Sequence, residues 1–488
     1  MKPKKTYRDD KLKILLVALN SKYIHTNLAV RYIKTYCDNC DIDIKEYTIN
    51  DSIGRIINEI YLSYADVIGF SCYIWNIETV LKIAGSIKKI TPGVKILLGG
   101  PEVSYDSKMI MKDNPFIDYI LSGEGEEGCR SLFSCLEHNI PDIGNINSLT
   151  YRKGDGIVEN KKGTLIKDLD KIPFPYRGEN ACDFKNKIMY YETSRGCPFK
   201  CSYCLSSTIE GVCFFSLART KRDLMWFIDN DVKLVKFVDR TFNCGKNYFD
   251  LLKFLIENKK NTRFHFEISG WILDDEVIKL INSAPYGLFQ FEIGIQSTNQ
   301  DTLDTVYRKA DTGILFKNIK RLIQKGNAHI HLDLIAGLPK ENISSFRMSF
   351  NDAFNLKPDM LQLGFLKLLK GSALRENARE YGIVYESYPP YEVLKTDAIS
   401  FKELICLKNI ADMVDAYYNS GRFDTILSYI VGAFGTPFDF FSKFAEYRSK
   451  KISMNIKIGN VQQYELIYDF CRGNGDININ LAKECLAF

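Results

Sequence analysis

Short apolar runs alternate with amphipathic, helix-like stretches along most of this chain of 488 residues. In its first part, over residues 11 to about 127, apolar runs such as residues 13–19 and Val67–Ser71 are followed by segments with helical periodicity. Strands that are apolar on both faces and alternate with helices are typical of a parallel sheet covered by helices on each side. This part is therefore predicted to be a doubly wound α/β domain that binds a ligand at the carboxyl ends of its strands.

A second alternating series begins near Tyr190 and contains six strand-like runs, the last of them at residues 360–366. Helical stretches such as residues 314–324 separate these runs. Six strands over roughly 180 residues are too few for a closed eight-stranded barrel, which takes about 250 residues. An open, partial (β/α)6 barrel is therefore predicted, with its active site at the carboxyl ends of the strands.

These patterns divide the chain into four predicted parts. They are a doubly wound domain over 11–140, a connector over 141–184, a partial barrel over 185–375 and a mostly helical C-terminal extension over 376–488. The connector contains Ile172-Pro-Phe-Pro-Tyr176, which is too rich in proline for a helix or a central strand.

Composition and charge narrow the class of protein. Hydrophobic residues make up 45% of the chain and charged residues 26%, as in ordinary globular proteins. The net charge of +5 is small for this length, so nucleic acid is not an expected partner. The sequence has no run of about 18 apolar residues that would span a membrane. The basic opening, residues 1–8, lacks the apolar stretch of a signal peptide, so we expect the protein in the cytoplasm.

Fourteen cysteines in a chain without a secretion signal favour metal binding or buried thiols over disulfides. Cys197, Cys201 and Cys204 supply three thiols within eight residues, and closely spaced cysteines of this kind hold iron–sulfur clusters. Three ligands leave one iron of a four-iron cluster open, and a catalytic metal site needs an open position. A structural zinc site would need a fourth cysteine or histidine, and the sequence has none nearby at matched spacing.

The Cys-x3-Cys-x2-Cys spacing, with the aromatic Tyr203 before the last cysteine, resembles the signature loop of the radical S-adenosylmethionine (SAM) superfamily. The resemblance implies that the three cysteines are catalytic and hold a 4Fe–4S cluster whose open iron chelates SAM. One electron from the cluster would cleave SAM to methionine and a 5′-deoxyadenosyl radical. In such enzymes the cofactor carries out the difficult chemistry, and the protein orients it and shields the radical.

Four later segments resemble the strands that contact SAM in this superfamily. They are residues 236–243, 266–268, 292–297 and 332–339, and the whole resemblance covers residues 185 to about 375. The resemblance implies that SAM is bound by Tyr203, Asp239, Glu267, Gln296, Ser297, Leu334 and Gly337.

Two glycine turns follow strands of the first domain, Gly99-Gly-Pro-Glu102 and Gly123-Glu-Gly-Glu126. A glycine turn lets the backbone approach a flat macrocycle closely, because no Cβ stands in the way. The turns are similar to those of the cobalamin-binding domain in cobalamin-dependent radical SAM enzymes, and a flavodoxin-like domain without its ligand is the alternative. The similarity implies cobalamin contacts at Asn20, His25, Ser71, Tyr73, Trp75, Gly99, Gly100, Pro101, Glu102, Val103, Gly123, Glu124, Gly125 and Glu126.

The loop after the first strand departs from the cobalamin motif. Domains that ligate cobalt through histidine carry Asp-x-His-x-x-Gly there, whereas this chain has Tyr23 two residues before His25 and Leu28 three residues after it. Without a carboxylate partner, the imidazole lacks the group that usually orients a metal-ligating histidine. We therefore expect cobalamin to be bound without a histidine ligand, and His25 to form a local hydrogen bond.

The resemblances imply a cobalamin-dependent methyltransferase that acts on an unactivated carbon, with radical cyclisation or rearrangement as an alternative. A small molecule, a lipid and a peptide all stay open as substrates, and an external donor such as flavodoxin or ferredoxin is expected to supply electrons. The C-terminal part, with Tyr388-Pro-Pro-Tyr-Glu392, resembles an uncharacterised helical extension of one subgroup of these enzymes and implies no substrate.

Two further functions stay open. A methylthiotransferase would carry a second cluster, for which Cys37, Cys40 and Cys72 are candidates. Cys37 and Cys40 fall at the end of a predicted helix, however, and the C-terminal pattern is helical rather than that of a small β RNA-binding barrel. An iron–sulfur sensor or electron carrier would need a fourth cluster ligand.

Overall fold

The computed structural model describes residues 11–452, 456 and 458–487. The basic opening, residues 1–8, therefore lies outside the described residues, as do a few positions of the C-terminal extension. The first strands and helices are β1 (Lys13–Asn20), α1 (Leu28–Tyr36), β2 (Asp41–Thr48), α2 (Ile53–Tyr61), β3 (Val67–Ser71), α3 (Ile77–Ile90), β4 (Lys95–Gly99), α4 (Ser107–Asp113), β5 (Tyr119–Leu121), α5 (Glu126–Glu137), β6 (Leu149–Lys153) and β7 (Gly156–Glu159).

These seven strands form one sheet in the order β2-β1-β3-β4-β5-β6-β7. β1 to β5 are parallel, which confirms the doubly wound prediction, and the strand order reverses at β1, where ligands of such sheets bind. β6 and β7 add an antiparallel edge within residues that the sequence assigned to a connector. Their mixed polarity reflects a half-exposed edge position, because only β6 has a run of buried residues.

The core of this domain has two layers, because alternate residues of each strand face opposite sides of the sheet. Leu15 and Val17 of β1 pack in one apolar layer, and Ile14 and Leu16 pack in the other. α1 begins directly after Asn27, whose side chain accepts a hydrogen bond from the backbone N–H of Val30 and so caps the helix.

A second sheet has six parallel strands, which confirms the open, partial barrel. Their order is β15 (Met360–Phe365), β14 (His329–Ala336), β13 (Phe289–Gln296), β12 (Arg263–Ile268), β11 (Leu234–Phe237) and β8 (Met189–Tyr191). A two-stranded hairpin, β9 (Ser194–Gly196) with β10 (Val212–Phe214), was not predicted. The cysteine loop begins directly after β9. The elements of this part are β8 (Met189–Tyr191), β9 (Ser194–Gly196), β10 (Val212–Phe214), α6 (Leu217–Asp229), β11 (Leu234–Phe237), α7 (Tyr248–Glu257), β12 (Arg263–Ile268), α8 (Asp275–Ser283), β13 (Phe289–Gln296), α9 (Gln300–Thr305), α10 (Thr312–Lys325), β14 (His329–Ala336), α11 (Ile343–Asn355), β15 (Met360–Phe365) and α12 (Ala373–Glu376).

The C-terminal part is mostly helical, and its apolar residues belong to the same core cluster as those of the barrel. α13 starts with a capping box formed by Ser400 and Glu403 and runs into a π-helical turn, Val414–Tyr418. Its elements are β16 (Val384–Tyr385), β17 (Val393–Lys395), α13 (Phe401–Met413), α14 (Asp424–Ile430), α15 (Pro437–Lys451), α16 (Asn460–Arg472) and α17 (Ile479–Ala487). Among the described helices, none is long and apolar enough to cross a lipid bilayer.

The free edge of the barrel sheet is covered by the C-terminal part. The side-chain amide of Asn419 accepts a hydrogen bond from the backbone N–H of Leu361 and donates one to its carbonyl oxygen, both at 2.9 Å. The amide thus replaces a neighbouring strand at the edge of β15. Unpaired backbone groups at a sheet edge invite pairing with other chains, so this contact protects the edge.

Replacing Asn419 by leucine is expected to leave both backbone groups of Leu361 without a partner. The free energy of local opening at β15 should fall by about 2 kcal/mol, which is the usual cost of unsatisfied buried groups. Native-state hydrogen exchange at the Leu361 amide measures this, with Ser420→Ala as the control. Unchanged exchange in Asn419→Leu would contradict the assignment.

Candidate functional site

The cysteine loop begins at the hairpin in which β9, ending at Gly196, pairs with β10. Gly196 has a φ of +103°, and a Cβ there would lie 2.3 Å from the carbonyl oxygen of Gly211. Any other residue would force the two strands apart. Glycine therefore allows the tight turn into Cys197, the first of the three predicted cluster ligands.

Polar donors surround the predicted cluster ligands. The Thr241 hydroxyl lies 3.4 Å from Cys197 Sγ, and Arg308 Nη1 lies 3.9 Å from Cys201 Sγ. Burial raises the pKa of the Cys201 thiol, and the Arg308 guanidinium opposes this by favouring the thiolate. Cys204 is partly exposed, whereas the other two cysteines are buried. A loop of three cysteines with a guanidinium beside the Cys201 sulfur fits a thiolate-bound cluster.

In the part of the chain that the structure describes, no three His, Cys, Asp or Glu side chains are close enough to share one metal ion. A zinc site needs four donors around a single ion. The irons of a cubane cluster instead take one thiolate each, so its cysteines do not converge on one point. The donor set therefore fits a 4Fe–4S cluster better than zinc.

Asp239, predicted as a SAM contact, is fully buried after β11. Its Oδ2 accepts a hydrogen bond from the backbone N–H of Thr193 at 2.9 Å. Its Oδ1 accepts hydrogen bonds from the hydroxyls of Thr193 and Ser194, at 2.6 and 2.5 Å. Both carboxylate oxygens are thus occupied by the residues that lead into the cysteine loop. These contacts support a role in holding the loop, and a contact with SAM stays a prediction.

Buried polar atoms without partners mark the space beside the cysteine loop. Among the described residues, Gln296 Oε1, Asp333 Oδ1 and Arg308 Nε are buried and have no hydrogen-bond partner. Burial, together with Glu292 and Glu267, raises the pKa of Asp333 to about 8. Such atoms call for a ligand or water that completes their hydrogen bonds. The hydroxyl and amino groups of SAM supply donors and acceptors, so these residues fit SAM.

Three further predicted SAM contacts carry polar side chains. Tyr203 accepts a hydrogen bond from Arg308 Nη1 at 3.3 Å, and Ser297 donates one to Glu341 at 2.6 Å. Glu267 is partly exposed, and burial raises its pKa. Of these three, Glu267 retains its carboxylate for a ligand, because no hydrogen bond within the described residues engages it.

Leu334 and Gly337, both predicted as SAM contacts, pack inside the protein. The Leu334 side chain is fully buried in the apolar core, on the opposite face of β14 from Asp333. Gly337 has a φ of +87°, and a Cβ there would lie 2.6 Å from Cγ1 of Val393. Any contact between these two residues and SAM would involve their backbones.

The predicted cobalamin turns, residues 99–102 and 123–126, lie at the carboxyl edge of the first sheet, which we call the cobalamin edge, and Gly100 also has a packing role there. It has a φ of +112°, and a Cβ there would lie 2.5 Å from the carbonyl oxygen of Cys72. Gly100 thus lets the loops after β3 and β4 pack together, whereas Gly123, with a φ of +78°, faces open space. The Val103 side chain is buried in the core, so only its backbone is available. The same turns contain Gly99, Pro101 and Gly125.

The loops after β1 and β3 contribute aromatic rings to this edge. Tyr73 and Trp75 are stacked with their ring centroids 4.5 Å apart, and Trp75 is 44% exposed. The side chains of Asn20 and Ser71 are buried and hydrogen-bonded within these loops. Stacked flat rings beside glycine turns, with the Trp75 ring exposed, fit a planar macrocycle such as the corrin ring.

The three glutamates predicted at the cobalamin edge are engaged by other parts of the chain. Glu102 accepts a hydrogen bond from the Tyr391 hydroxyl at 2.8 Å. Glu124 and Glu126 form ion pairs with Arg195, at 2.9 and 2.6 Å. The cysteine loop and the C-terminal part therefore contact this edge of the sheet directly, and contacts of the three glutamates with cobalamin stay predictions.

His25 contacts the barrel. Its Nδ1 lies 2.7 Å from the Tyr190 hydroxyl, and its backbone forms a parallel bridge with Ile188. Burial lowers the pKa of His25, and Lys22 and Lys236 lower it further. The imidazole is therefore hydrogen-bonded to Tyr190 of the barrel, 165 positions along the chain, rather than locally as expected, and the absence of ligation to cobalt stays a prediction.

The cysteines considered for a second cluster are separated by the first sheet. Cys37 and Cys40 lie in the apolar layer on one face, and Cys72 lies in the layer on the other face. Three thiols divided in this way cannot hold one cluster. The ligand set that a methylthiotransferase would need is therefore not formed by these residues.

Sequence analysis did not single out four side chains of the site. Asp333 carried a signal, because it is one acidic residue within an otherwise apolar strand segment. Thr241 stands within the segment 236–243 and Arg195 two residues before Cys197, but the partners that define their roles are distant in sequence. Arg308 follows α9 and belongs to no motif that was recognised.

Three protein families match parts of the chain. The family described as B12 binding domain matches residues 14–133, and the radical SAM superfamily matches residues 191–353. The family described as protein of unknown function (DUF4080) matches residues 379–488.

Two curated relatives and one solved structure extend these matches. The chain is 26% identical over 358 residues to the cobalamin-dependent radical SAM methyltransferase TokK of Streptomyces tokunonensis, covering 69% of this chain and 52% of that protein. It is 33% identical over 265 residues to the anaerobic magnesium-protoporphyrin IX monomethyl ester cyclase of Synechocystis sp., covering 50% of each. The chain thus spans about half the length of these relatives. The structure of the cobalamin-dependent SAM radical enzyme OxsB shares the fold, with a TM-score of 0.69 over 98% of this chain and 79% of that one, at 14% identity.

The chain thus combines a B12-binding domain with a radical SAM domain. Its cofactors are those that the two domains imply, namely a 4Fe–4S cluster, SAM and cobalamin.

Alanine at Cys197, Cys201 or Cys204 is expected to abolish reductive cleavage of SAM, because a cubane held by two thiolates loses stability and its fixed open iron. Chromatography of 5′-deoxyadenosine after anaerobic reconstitution measures this. Cys213→Ala, on the adjacent strand β10, is the matched control. Cleavage of SAM at the wild-type rate by a variant with alanine at all three cysteines would contradict the cluster assignment.

His25→Ala is expected to retain cobalamin and to leave the electron paramagnetic resonance spectrum of the cob(II)alamin state unchanged, because His25 is bonded to Tyr190 and has no carboxylate that orients it toward a metal. The control is Tyr190→Phe, which removes the same hydrogen bond and keeps the imidazole. Nitrogen hyperfine splitting that is present in the wild type and lost only in His25→Ala would show that histidine ligates cobalt.

Proposed function

We propose that the protein is a cobalamin-dependent radical SAM methyltransferase that replaces a hydrogen on an unactivated carbon by a methyl group. The observation that carries this proposal is the contact between the predicted cluster loop and the predicted cobalamin edge through Arg195, Glu124 and Glu126. If both sites lie as predicted, this contact would hold the two cofactors at one interface, as a reaction that uses both cofactors requires. TokK, which is a cobalamin-dependent radical SAM methyltransferase, supports the same reaction.

When bound, the cofactors would supply a methyl group and a 5′-deoxyadenosyl radical, at a cost of two SAM molecules and two electrons per methylated product. The side chains of the chain itself would bind and orient them. Arg308 favours the thiolate of Cys201, Asp239 holds the loop that carries the cysteines, and Gln296 and Asp333 offer hydrogen-bonding groups to SAM. The surrounding barrel would exclude water from the radical.

An external one-electron donor such as flavodoxin or ferredoxin would reduce the cofactors. The substrate class stays open at this level, and a small molecule, a lipid and a peptide are all compatible with the proposal. We propose that the protein is cytoplasmic, because thiols stay reduced there and none of its fourteen cysteines, all within the described residues, forms a disulfide.

The reconstituted protein should contain about four irons per chain and one cobalamin, and should form 5′-deoxyadenosine from SAM under reducing conditions. Cell extract incubated with the protein and SAM carrying a deuterated methyl group should yield a product that contains that methyl group. The Cys201→Ala protein is the control for the formation of 5′-deoxyadenosine and for the incorporation of the deuterated methyl group.

Radical cyclisation is the second candidate, because the Synechocystis relative is a cyclase. It would consume extract metabolites without incorporating the deuterated methyl group. That result would replace methyl transfer by cyclisation, and a protein that binds no cobalamin would contradict both candidates.

A further inference from the structure

We propose that Tyr391 and Arg195 are positioning residues that together fix the cobalamin edge relative to the cysteine loop. Tyr391 holds the Gly99-Gly-Pro-Glu102 turn and Arg195 holds the Gly123-Glu-Gly-Glu126 turn, and we name these two contacts the two-point clamp. The inference rests on the proposed function, because it requires cobalamin at these turns. It also assigns a role to the Tyr388-Pro-Pro-Tyr-Glu392 motif of the C-terminal part.

The first contact of the clamp is buried on both sides. The Tyr391 hydroxyl donates to Glu102 Oε2 at 2.8 Å, and both residues are less than 5% exposed. Burial raises the pKa of Glu102, and the hydrogen bond from Tyr391 opposes this by stabilising the carboxylate. The guanidinium of Arg375 lies 4.6 Å from the centre of the Tyr391 ring, so the ring is held from its other side.

Backbone contacts tie Tyr391 to the barrel. The N–H of Leu368, which follows β15, donates to the carbonyl oxygen of Tyr391 at 2.9 Å. Lys370 from the same segment lies 3.5 Å from the carbonyl oxygen of Glu102 and 3.8 Å from the carboxylate of Asp106. The segment after β15 thus contacts both Tyr391 and the turn that Tyr391 holds.

The second contact of the clamp lies two residues before Cys197. The Arg195 guanidinium pairs with Glu124 and Glu126 of the turn and, through Nε, with Glu192 at 2.9 Å. Hydrogen bonds between a guanidinium and carboxylates are about twice as strong as neutral ones and restrict orientation. Because the two contacts attach to different turns, together they restrict rotation of the cobalamin edge over the barrel.

The clamp has a specific chemical consequence. Cleavage of SAM at the cluster requires only the cysteine loop and the SAM site. Transfer of the SAM methyl group to cobalamin also requires the corrin ring at the correct distance, and a displacement of about 1 Å costs reactions of this kind roughly 100-fold. Loosening the clamp should therefore slow methyl transfer to cobalamin and leave SAM cleavage unchanged.

Tyr391→Phe and Glu126→Gln test the clamp, with Tyr388→Phe and Glu127→Gln as matched controls, since Tyr388 and Glu127 are exposed neighbours in the same motifs. The probes are SAM with a carbon-13 methyl group and hydroxocobalamin under reducing conditions, without any substrate. In each clamp variant the rate of label transfer to cobalamin, relative to 5′-deoxyadenosine formation, should fall about tenfold or more. The controls should match the wild type.

Two structural readouts accompany the rates. The magnetic interaction between cob(II)alamin and the reduced cluster should broaden or weaken in the clamp variants, as the distance becomes less uniform. In the cofactor-free protein, amide exchange over residues 99–106 should be faster in Tyr391→Phe than in Tyr388→Phe.

These measurements distinguish a failure of the proposed function from a failure of the clamp alone. Wild-type protein that binds no cobalamin would overturn the proposed function and the clamp with it. Wild-type protein that binds and methylates cobalamin, with unchanged rates, magnetic interaction and exchange in both clamp variants, would overturn the clamp alone.

Discussion

A buried guanidinium, that of Arg195, joins three carboxylates from two parts of the chain. Burial opposes the charge of Arg195, but Glu192 and Glu126 more than compensate and raise its pKa. Burial also raises the pKa of Glu192 to about 7, and Arg195 limits that rise by favouring the ionised form. A network of this kind is stable only when all its partners meet. This network therefore joins the segment that leads into the cysteine loop to the turn after β5 of the first sheet.

Buried polar side chains in the barrel interior also depend on their partners, and they differ between two levels along the strands. Burial would raise the pKa of Glu292, but His265 and Lys236 bind its carboxylate and lower the pKa to about 2, so this carboxylate is satisfied without a ligand. One layer nearer the carboxyl ends of the strands, Asp333 and Gln296 keep unpartnered oxygens within the described residues. The incomplete layer adjoins the cysteine loop, which is where the fold places the active site of a parallel barrel.

The sequence predicted both sheets because hydrophobic periodicity and strand alternation are local properties. Residues 149–159 were missed, since β6 and β7 occupy a half-exposed edge and lack a continuous apolar run. Cys197, Cys201 and Cys204 could be recognised from spacing alone. The partners of Glu102, Glu124 and Glu126 could not, because each ion pair or hydrogen bond joins residues about 70 to 290 positions apart. Leu334 was expected to contact SAM and Val103 to contact cobalamin, but both side chains are buried in the core. Whether a side chain faces the core or a ligand depends on the register of its strand, and the sequence motifs do not specify that register.

The C-terminal part is integral to the fold that carries the site. Its apolar residues share one core with the barrel strands, so neither could bury its apolar face alone. Asn419 completes the hydrogen bonding of the edge strand β15, and Tyr391 reaches the turn that follows β4 in the other domain. Since the segment after β15 contacts both Tyr391 and that turn, the edge strand, the motif and the cobalamin edge are mechanically connected. The family of unknown function that matches residues 379–488 therefore corresponds here to a part that packs on the partial barrel, completes the hydrogen bonding of its edge strand β15 and contacts the turn after β4 in the neighbouring domain.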